Sequence, residues 1–457
     1  MKPVVRVFRD CGWWLRCRWP WLVGLLIVLV LVVVPTFPGR ANHDTDQMVR
    51  DMSAGVYTDW WSPLLMMAWR PLYMIGLDVG FLQIGQVAAF FAAVGSLLRP
   101  VFARRLHAIA ATVFVCMFPT TYAMLINIIR DTWFTVAVAC SVAVAFRTRS
   151  PKPIHGALLA LGLGAVVAAR QNGIVVVMVV AGASALHWGL VGLRTSQVRR
   201  LVAGIAVGVM TGLVYFGVVQ GLHAVTDVES TGPAAATYYV DLDEMSTRVG
   251  TLLVPEVYIK DTLTLDDLRA DRNYVPYGVR DLVTLRLPPE DRAAASDAWR
   301  NAVAEYPYVY FQARWQMFTR QVGWSGAPAE AYYATRGTSR DFEPRSRRLS
   351  NLSTAYLSMF DGGDKSRGGF IHRPWLYVAV AVAAACRLGR RWPLLWCIPA
   401  LQSAVLLGLF VLSPISKVRL VHAVFMLGLI GAVYAVAGGR FMLESEVERL
   451  RRRSDQQ

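Results

Sequence analysis

The chain alternates between long apolar runs and polar connections. Ten runs reach or approach the roughly 20 apolar residues that a helix needs to cross a bilayer. They lie at about 21–34, 77–98, 106–127, 132–147, 154–170, 173–192, 200–224, 374–389, 393–413 and 420–437. This pattern predicts an all-α polytopic membrane protein with about ten transmembrane helices.

Basic residues concentrate on one side of these runs. The short connections on that side carry Arg99, Arg104 and Arg105; Arg147, Arg149 and Lys152; Arg194, Arg199 and Arg200; and Arg387, Arg390 and Arg391. Because cytoplasmic loops hold an excess of Lys and Arg, the distribution predicts a cell-membrane protein with both termini in the cytoplasm. No small-x-small cleavage site follows the first run, so we expect it to be a retained transmembrane helix rather than a signal peptide.

The pattern divides the chain into five segments. Residues 1–20 form a cytoplasmic N-terminal segment, and residues 21–225 form a membrane domain with spans one to seven. The first exoplasmic loop, residues 35–76, lies within that domain. Residues 226–372 are polar, with Pro, Gly and Asp punctuation, and predict a large exoplasmic loop subdomain. Spans eight to ten occupy residues 373–438, and residues 439–457 form a basic cytoplasmic tail.

Two helices are predicted inside the exoplasmic subdomain. The first begins near Pro289, with Glu290 and Asp291 in its first turn. The second follows Pro307. One face of it carries apolar and aromatic residues, namely Tyr308, Phe311, Trp315, Phe318 and Val322. That face suits a helix in the membrane interface or a helix packed on its own subdomain, and the sequence leaves both open.

Composition narrows the class of protein. The chain has 457 residues, of which 55% are hydrophobic and 17% charged, which is too apolar for a soluble protein of this size. The net charge of +16 raises the possibility of a nucleic-acid partner, but its concentration in short loops is an orientation signal, so no nucleic acid is expected. None of the six cysteines lies in residues 226–372, which excludes a disulfide framework there. No Cys or His spacing resembles a zinc site.

The first exoplasmic loop carries the densest set of candidate chemical groups. Its polar residues lie close together and are rimmed by tryptophans: Asp44, Asp46, Gln47, Asp51 and Asp59, with Trp60, Trp61 and Trp69. Carboxylates just above the hydrocarbon boundary, beside aromatics that favour the headgroup level, suit a substrate anchored in lipid. The alternative is an ordinary solvated loop.

The short exoplasmic connections hold basic residues where the charge bias makes them less expected. These are Arg130, Arg170, Lys417 and Arg419, each beside an apolar run. Residues of these connections also have simple structural explanations. Asp131 can cap a helix, Arg170 can snorkel and Asn172-Gly173 suits a tight turn. Taken together with the acidic loop, however, they predict a charged ligand. Arginine suits phosphate because its planar guanidinium donates two parallel hydrogen bonds.

The order of these motifs resembles the GT-C superfamily of integral-membrane glycosyltransferases. The motifs are Pro38-Gly39 followed by Asp44 and Gln47, then Asp59-Trp60-Trp61-Ser62-Pro63, Arg130-Asp131-Thr132-Trp133-Phe134 and Arg170-Gln171-Asn172-Gly173. The likeness is nearest to bacterial ArnT-like and RgtA/B/C/D-like groups and to dolichyl-phosphate-mannose-type mannosyltransferases. Trp299–Trp315 and Pro414–Val421 resemble later segments of such proteins. Two positions differ from the family pattern: Trp61-Ser62-Pro63 replaces a His-Pro, and Arg130 replaces a Lys.

The resemblance implies roles for particular residues. The acidic residue of the first loop is the catalytic base or a metal ligand in this superfamily, which points to Asp44, with Asp46 and Asp59 as second candidates. Arg130, Arg170, Lys417 and Arg419 would bind the donor phosphate. The supporting residues would be Gln47, Asp131, Asn172, Trp60 and Trp61. No cofactor is firmly implied, although Asp44-x-Asp46 could hold Mg²⁺ or Mn²⁺, which prefer oxygen ligands.

The implied reaction moves a sugar from a polyprenyl-phosphate carrier to a glycan, lipid or protein acceptor on the exoplasmic face. The main alternative is a transporter or flippase for a lipid-linked or anionic solute. That class favours ionisable groups deep within spans and a repeat architecture, whereas the charges here lie at span ends. An inactive envelope-assembly scaffold is the third interpretation, because an inactive member would keep the fold.

Overall fold

The computed structural model of the protein describes most of the chain. The described residues are 19–41, 43–58, 61, 63–77, 79–147, 153–170, 173–192, 213, 216–217, 228–229, 231–270, 282–324, 344–360, 370–390, 392, 394–412 and 421–454. These residues are 79% helical with almost no strand, which confirms the prediction of an all-α protein.

Helices make up both the apolar and the polar parts of the chain. In chain order they are α1 (Trp19–Val32), α2 (His43–Ser53), α3 (Pro63–Met74), α4 (Gly80–Leu98), α5 (Arg105–Met117), α6 (Pro119–Leu125), α7 (Arg130–Arg147), α8 (Pro153–Ala169), α9 (Gly173–Gly192), α10 (Ala234–Val249), α11 (Leu265–Ala270), α12 (Pro289–Glu305), α13 (Pro307–Gln321), α14 (Arg347–Ser358), α15 (Pro374–Leu388), α16 (Leu394–Leu412) and α17 (His422–Ser454). The strands are β1 (Tyr57–Thr58) and β2 (Val228–Glu229), which pair in parallel.

The predicted apolar runs coincide closely with helices. The runs at 154–170, 173–192, 374–389 and 393–413 match α8, α9, α15 and α16 to within one residue at each end. The run at 200–224 lies almost entirely outside the described residues. Among the described residues, two helical segments, Gly80–Val101 and Leu394–Val411, are long and apolar enough to cross a membrane, and a bent pair of helices makes a third candidate. The count of ten spans therefore stays a prediction.

The bent pair replaces the single helix expected over 106–127. Helices α5 and α6 meet at an angle of 72°. Phe118, between them, has an extended backbone with φ −60° and ψ 134°. Pro119 causes this, because the ring of a proline disfavours the helical conformation of the residue before it, while proline itself fits the first turn of a new helix. The bend directs the chain after Leu125 toward the first loop.

The first loop is largely helical and is fixed to the segment after α6. The Arg40 N–H donates to the Ile126 carbonyl at 2.8 Å, and the Ile128 N–H donates to the Arg40 carbonyl at 2.9 Å. The Thr45 hydroxyl donates to the Ile128 carbonyl at 2.7 Å. These bonds satisfy buried backbone groups of an irregular segment, which would otherwise be costly to bury. They set α2 directly beside the start of α7.

The segment between the two groups of apolar helices has a hydrophobic core of its own. Buried side chains of α10, α12 and α13, with those of the connecting segments, form this cluster, which includes Tyr239, Leu242, Met245 and Met317. It also buries an ion pair, since the Arg314 guanidinium donates to Asp241 Oδ2 at 2.6 Å. The Trp299 indole N–H donates to the same oxygen at 2.9 Å. Asp241 thus joins all three helices.

The two faces of helix α13 make different contacts. Arg314 and Met317 are buried against the subdomain core. On the other side, Phe311 and Trp315 are 53% and 51% exposed and stack on each other. Phe311 also contacts Phe410, near the end of α16, with ring centroids 6.3 Å apart. The helix therefore packs on its own subdomain and also presents aromatic side chains at the end of an apolar helix.

We predict that Asp241→Ala destabilises the subdomain by roughly 3–5 kcal/mol, because it leaves the Arg314 charge buried without its partner. Burial raises the pKa of Asp241 above its usual value, and the nearby Arg314 charge acts in the opposite direction. Hydrogen exchange of the α10 and α13 amides would measure the loss as a lower free energy of opening.

Arg300→Ala is the matched control, because the Arg300–Asp297 pair is exposed, with side chains 65% and 63% accessible. Exposed pairs contribute at most about 1 kcal/mol, so this variant should exchange nearly as slowly as the parent. Equal effects of the two substitutions would contradict the assigned role of Asp241.

Candidate functional site

Helix α2 places three polar side chains of the first loop on one face. At 100° per residue, Asp44, Gln47 and Asp51 fall within about 60° of one another around the helix axis. The neighbouring face is buried, with Met48 and Met52 about 2% exposed or less. The three polar side chains are each partly exposed. We call Asp44, Gln47 and Asp51 the polar stripe.

Trp61 is held against this stripe by a hydrogen bond to Asp51. Its indole N–H donates to Asp51 Oδ2 at 2.9 Å. The Gln47 amide donates to the other carboxylate oxygen, Asp51 Oδ1, at 2.7 Å. Trp61 is itself only 5% exposed. Because both oxygens of Asp51 accept bonds within this group, the indole ring has a fixed position beside α2.

Two arginines from distant parts of the chain lie over Trp61. The Arg130 guanidinium carbon is 5.8 Å from the ring centroid, and that of Arg286 is 6.0 Å away. Both distances suit a cation–π interaction, which holds a guanidinium at an aromatic face without neutralising its charge. Two positive groups therefore lie next to a stripe that contains two carboxylates.

The position of Arg130 is set by the hydrogen bonds around the end of α6. The Gln86 amide, fully buried in α4, donates to the carbonyls of Leu125 and Asn127 at 2.9 and 3.1 Å. The Thr132 hydroxyl donates to the Asn127 carbonyl at 3.0 Å. With its start fixed in this way, α7 begins at Arg130 beside Trp61. A backbone fixed by buried hydrogen bonds is one requirement of a preorganised binding site.

Arg170 is engaged by Asp131. The guanidinium of Arg170 donates to Asp131 Oδ1, and the two side chains are 14% and 4% exposed. This ion pair joins the end of α8 to the first turn of α7. Arg170 therefore stabilises the first turn of α7 through Asp131, the residue that follows Arg130. Its predicted contact with a donor phosphate stays a prediction.

The two aspartates proposed as metal ligands point in different directions. Asp44 and Asp46 are two residues apart in α2, so their side chains leave the helix about 160° apart. Asp46 is 1% exposed and pairs with Arg50 at 3.3 Å. Among the described residues, no group of three or more His, Cys, Asp or Glu side chains is placed to hold a metal ion. The Asp44-x-Asp46 pair therefore does not fit a shared Mg²⁺ or Mn²⁺.

Five of the predicted site residues lie outside the described residues: Asp59, Trp60, Asn172, Lys417 and Arg419. Of the others, the structure brings Gln47, Trp61 and Arg130 together and sets Asp44 on the same stripe. Arg286 was not among the predicted residues. It lies in an irregular segment before α12, and no local pattern distinguishes it from the other arginines of the subdomain.

The arrangement combines a proton acceptor with positive charge. A partly exposed carboxylate in the first turn of a helix can accept a proton from a bound hydroxyl group. Guanidinium groups donate charge-assisted hydrogen bonds to phosphate oxygens and keep their charge at any physiological pH. Models of known protein families, curated proteins and solved structures give no match to this chain.

We predict that Arg170→Ala lowers stability by roughly 3–5 kcal/mol, because it removes the guanidinium that pairs with the buried Asp131 carboxylate. Thermal unfolding of the detergent-purified chain would measure the loss. The double variant Arg170→Ala/Asp131→Asn should recover a large part of it, since no uncompensated charge remains. If the double variant were as unstable as the sum of the two single variants, the ion pair would not be the source of the effect.

Proposed function

We propose that the protein is a membrane glycosyltransferase that moves a sugar from a polyprenyl-phosphate carrier to a glycan, lipid or protein acceptor on the exoplasmic face. The observation that supports this most is the meeting of the polar stripe with Trp61, Arg130 and Arg286. A base and a phosphate-binding pair are the two requirements of such a transfer. The motif resemblance to GT-C enzymes points to the same class.

In the proposed reaction, Asp44 is the base. The bond between the anomeric carbon of the sugar and the donor phosphate oxygen breaks, and a bond from that carbon to the acceptor oxygen forms. The acceptor hydroxyl loses its proton to the Asp44 carboxylate. The polyprenyl phosphate leaves with its negative charge next to Arg130 and Arg286, which stabilise it as it develops.

Asp44 is preferred to the other aspartates on geometric grounds. It shares the stripe with Gln47 and Asp51, whereas Asp46 is buried against Arg50. Asp51 accepts one hydrogen bond from the Trp61 indole and one from the Gln47 amide, which gives it a role in positioning Trp61. Asp44 also precedes Thr45, whose hydroxyl bonds to the segment that leads into Arg130.

The proposed topology has about ten spans, with both ends in the cytoplasm and the site on the exoplasmic face. Arg130 begins α7, and Arg147 ends it near the basic connection at residues 147–152, so the site lies at the end opposite the basic loops. The aromatics of α13 contact Phe410, near the end of α16 that lies away from the basic connection at residues 387–391, so the proposed topology puts them on the exoplasmic side too. Aromatic side chains favour this depth of a bilayer.

We predict that a cysteine introduced at Ser296, in the subdomain, reacts with a membrane-impermeant maleimide in intact cells. The parent for this test is a variant in which the six native cysteines are replaced by serine. A cysteine at Arg390, after α15, should react only after permeabilisation. The opposite pattern would contradict an exoplasmic site.

We further predict that Asp44→Asn lowers turnover by at least about a hundred-fold, because asparagine has nearly the same shape and cannot act as a base. Donor binding and detergent extraction should stay close to those of the parent. Transfer of radiolabelled sugar by the purified chain in lipid, with donor binding measured separately, checks both parts.

Two sets of variants serve as controls for Asp44. Asp46→Asn should keep most of the turnover, since Asp46 lies away from the stripe. Arg286→Ala should weaken donor binding about ten- to a hundred-fold, whereas Arg300→Ala, on the exposed face of α12, should not. Near-parental transfer by Asp44→Asn would contradict its role as the base. Movement of intact donor across the bilayer without sugar transfer would favour a flippase.

A further inference from the structure

A cavity lies among the apolar helices, and no residue of the polar stripe lines it. It is a groove of about 930 Å³ between α5, α15 and α17, partly open to the surface. This volume is at the upper end of the range for ligand sites. Along its length the walls are mainly aliphatic and aromatic, including Ala111, Phe114, Leu376, Val380 and Ala432.

The polar side chains of the groove are gathered mostly at one end. Among the described residues that line it, only Arg104, His107 and Tyr377 have polar side chains. The Tyr377 hydroxyl, at the other end, donates to the Ile371 carbonyl at 2.7 Å. Arg104 and His107 are both exposed, at the start of α5. The groove is thus apolar along its length and positively charged at one end.

The backbone before α5 shapes this basic end. The Arg99 guanidinium donates to the Phe102 carbonyl at 2.7 Å, which closes the turn that precedes the groove. The Phe102 ring then meets the His107 ring edge to face, with centroids 6.5 Å apart. Arg105 lies next to Arg104 in the chain and is also exposed. The basic end therefore has a defined geometry and a local excess of positive charge.

The basic end is remote from the proposed donor site. Helix α5 rises about 20 Å from Arg105 to Met117, at 1.5 Å per residue, and the chain reaches Arg130 only after α6. A donor whose phosphate lies at Arg130 and Arg286 cannot also place that phosphate at Arg104. Residues from Arg104 to Phe118 line the groove, so it follows α5 over most of this length. One half of the hydrocarbon core is about 15 Å thick, so the groove is long enough to hold an acyl chain of one leaflet.

We propose that this groove binds an anionic glycerophospholipid of the cytoplasmic leaflet. One acyl chain lies along the aliphatic walls between α5 and α17, and the phosphate accepts hydrogen bonds from Arg104 and His107. Basic pockets between apolar helices on the cytoplasmic side are suited to anionic headgroups, and arginine binds phosphate oxygens in a forked geometry. The inference rests on the membrane placement in the proposed function and is independent of the catalytic roles assigned there.

The test is lipid binding to the purified full chain, measured by native mass spectrometry after delipidation. Phosphatidylglycerol and phosphatidylcholine with identical acyl chains are the two probes. We expect phosphatidylglycerol to bind about five- to tenfold more tightly, because only it carries a net negative charge. Arg104→Gln should remove most of that preference, because it weakens phosphatidylglycerol binding more than binding of the zwitterionic phosphatidylcholine, whose choline already offsets the phosphate charge.

Filling the groove tests the path of the acyl chain. Ala432→Phe adds a ring from the α17 wall and should weaken the binding of both lipids at least about tenfold. If that variant does not fold, Ala111→Phe fills the groove from the α5 wall and should have the same effect. The controls are Arg387→Gln, an equal charge change at an exposed position of α15, and Ala383→Phe, an equal enlargement at an exposed position of the same helix. Both controls should bind like the parent.

Three results would overturn the proposal. These are equal binding of the two lipids, parental binding by the Arg104 and groove-filling variants, and one-for-one displacement of phosphatidylglycerol by a polyprenyl phosphate. The last result would assign the groove to the donor. Asp44→Asn should bind phosphatidylglycerol as the parent does, so a failure of the proposed transferase activity would be seen separately from a failure of the lipid site.

Discussion

The candidate site depends on one set of hydrogen bonds, those between residues 40–45 and residues 126–128. The backbone of Arg40 exchanges bonds with Ile126 and Ile128, and the Thr45 hydroxyl closes the contact. Without them, the acidic helix α2 and the first turn of α7 would be separate elements on two connections. With them, the polar stripe and Arg130 share one surface. The bend at Pro119 makes the contact possible, because it directs the chain from α6 toward the first loop.

Two buried ion pairs in the described part of the chain support this arrangement. Asp131 holds Arg170, which ties α8 to the start of α7, and Asp241 holds Arg314, which ties the helices of the subdomain together. The subdomain in turn supplies Arg286 to Trp61. A buried ion pair adds little net stability compared with an apolar pair of the same shape, but breaking it is costly. These pairs therefore fix which elements meet more than they add to stability.

The sequence predicts the helices well and the site only in part. Apolar length defined α8, α9, α15 and α16, and prolines at 289 and 307 marked the starts of α12 and α13, because both signals are local. The helical character of α2 was not predicted, although it explains why Asp44 and Asp46 diverge. Arg286 could not be found from its neighbours in the chain, since only tertiary packing brings it to Trp61.

Sugar transfer by the purified, lipid-reconstituted chain is the most direct test of the central claim. The chain would be incubated with a panel of radiolabelled polyprenyl-phosphate sugars together with membrane extracts that contain acceptors. The account predicts that at least one donor loses its sugar to an acceptor, with release of free polyprenyl phosphate in equal amount. Tight donor binding with no transfer to any acceptor, or movement of the intact donor across the bilayer, would contradict it.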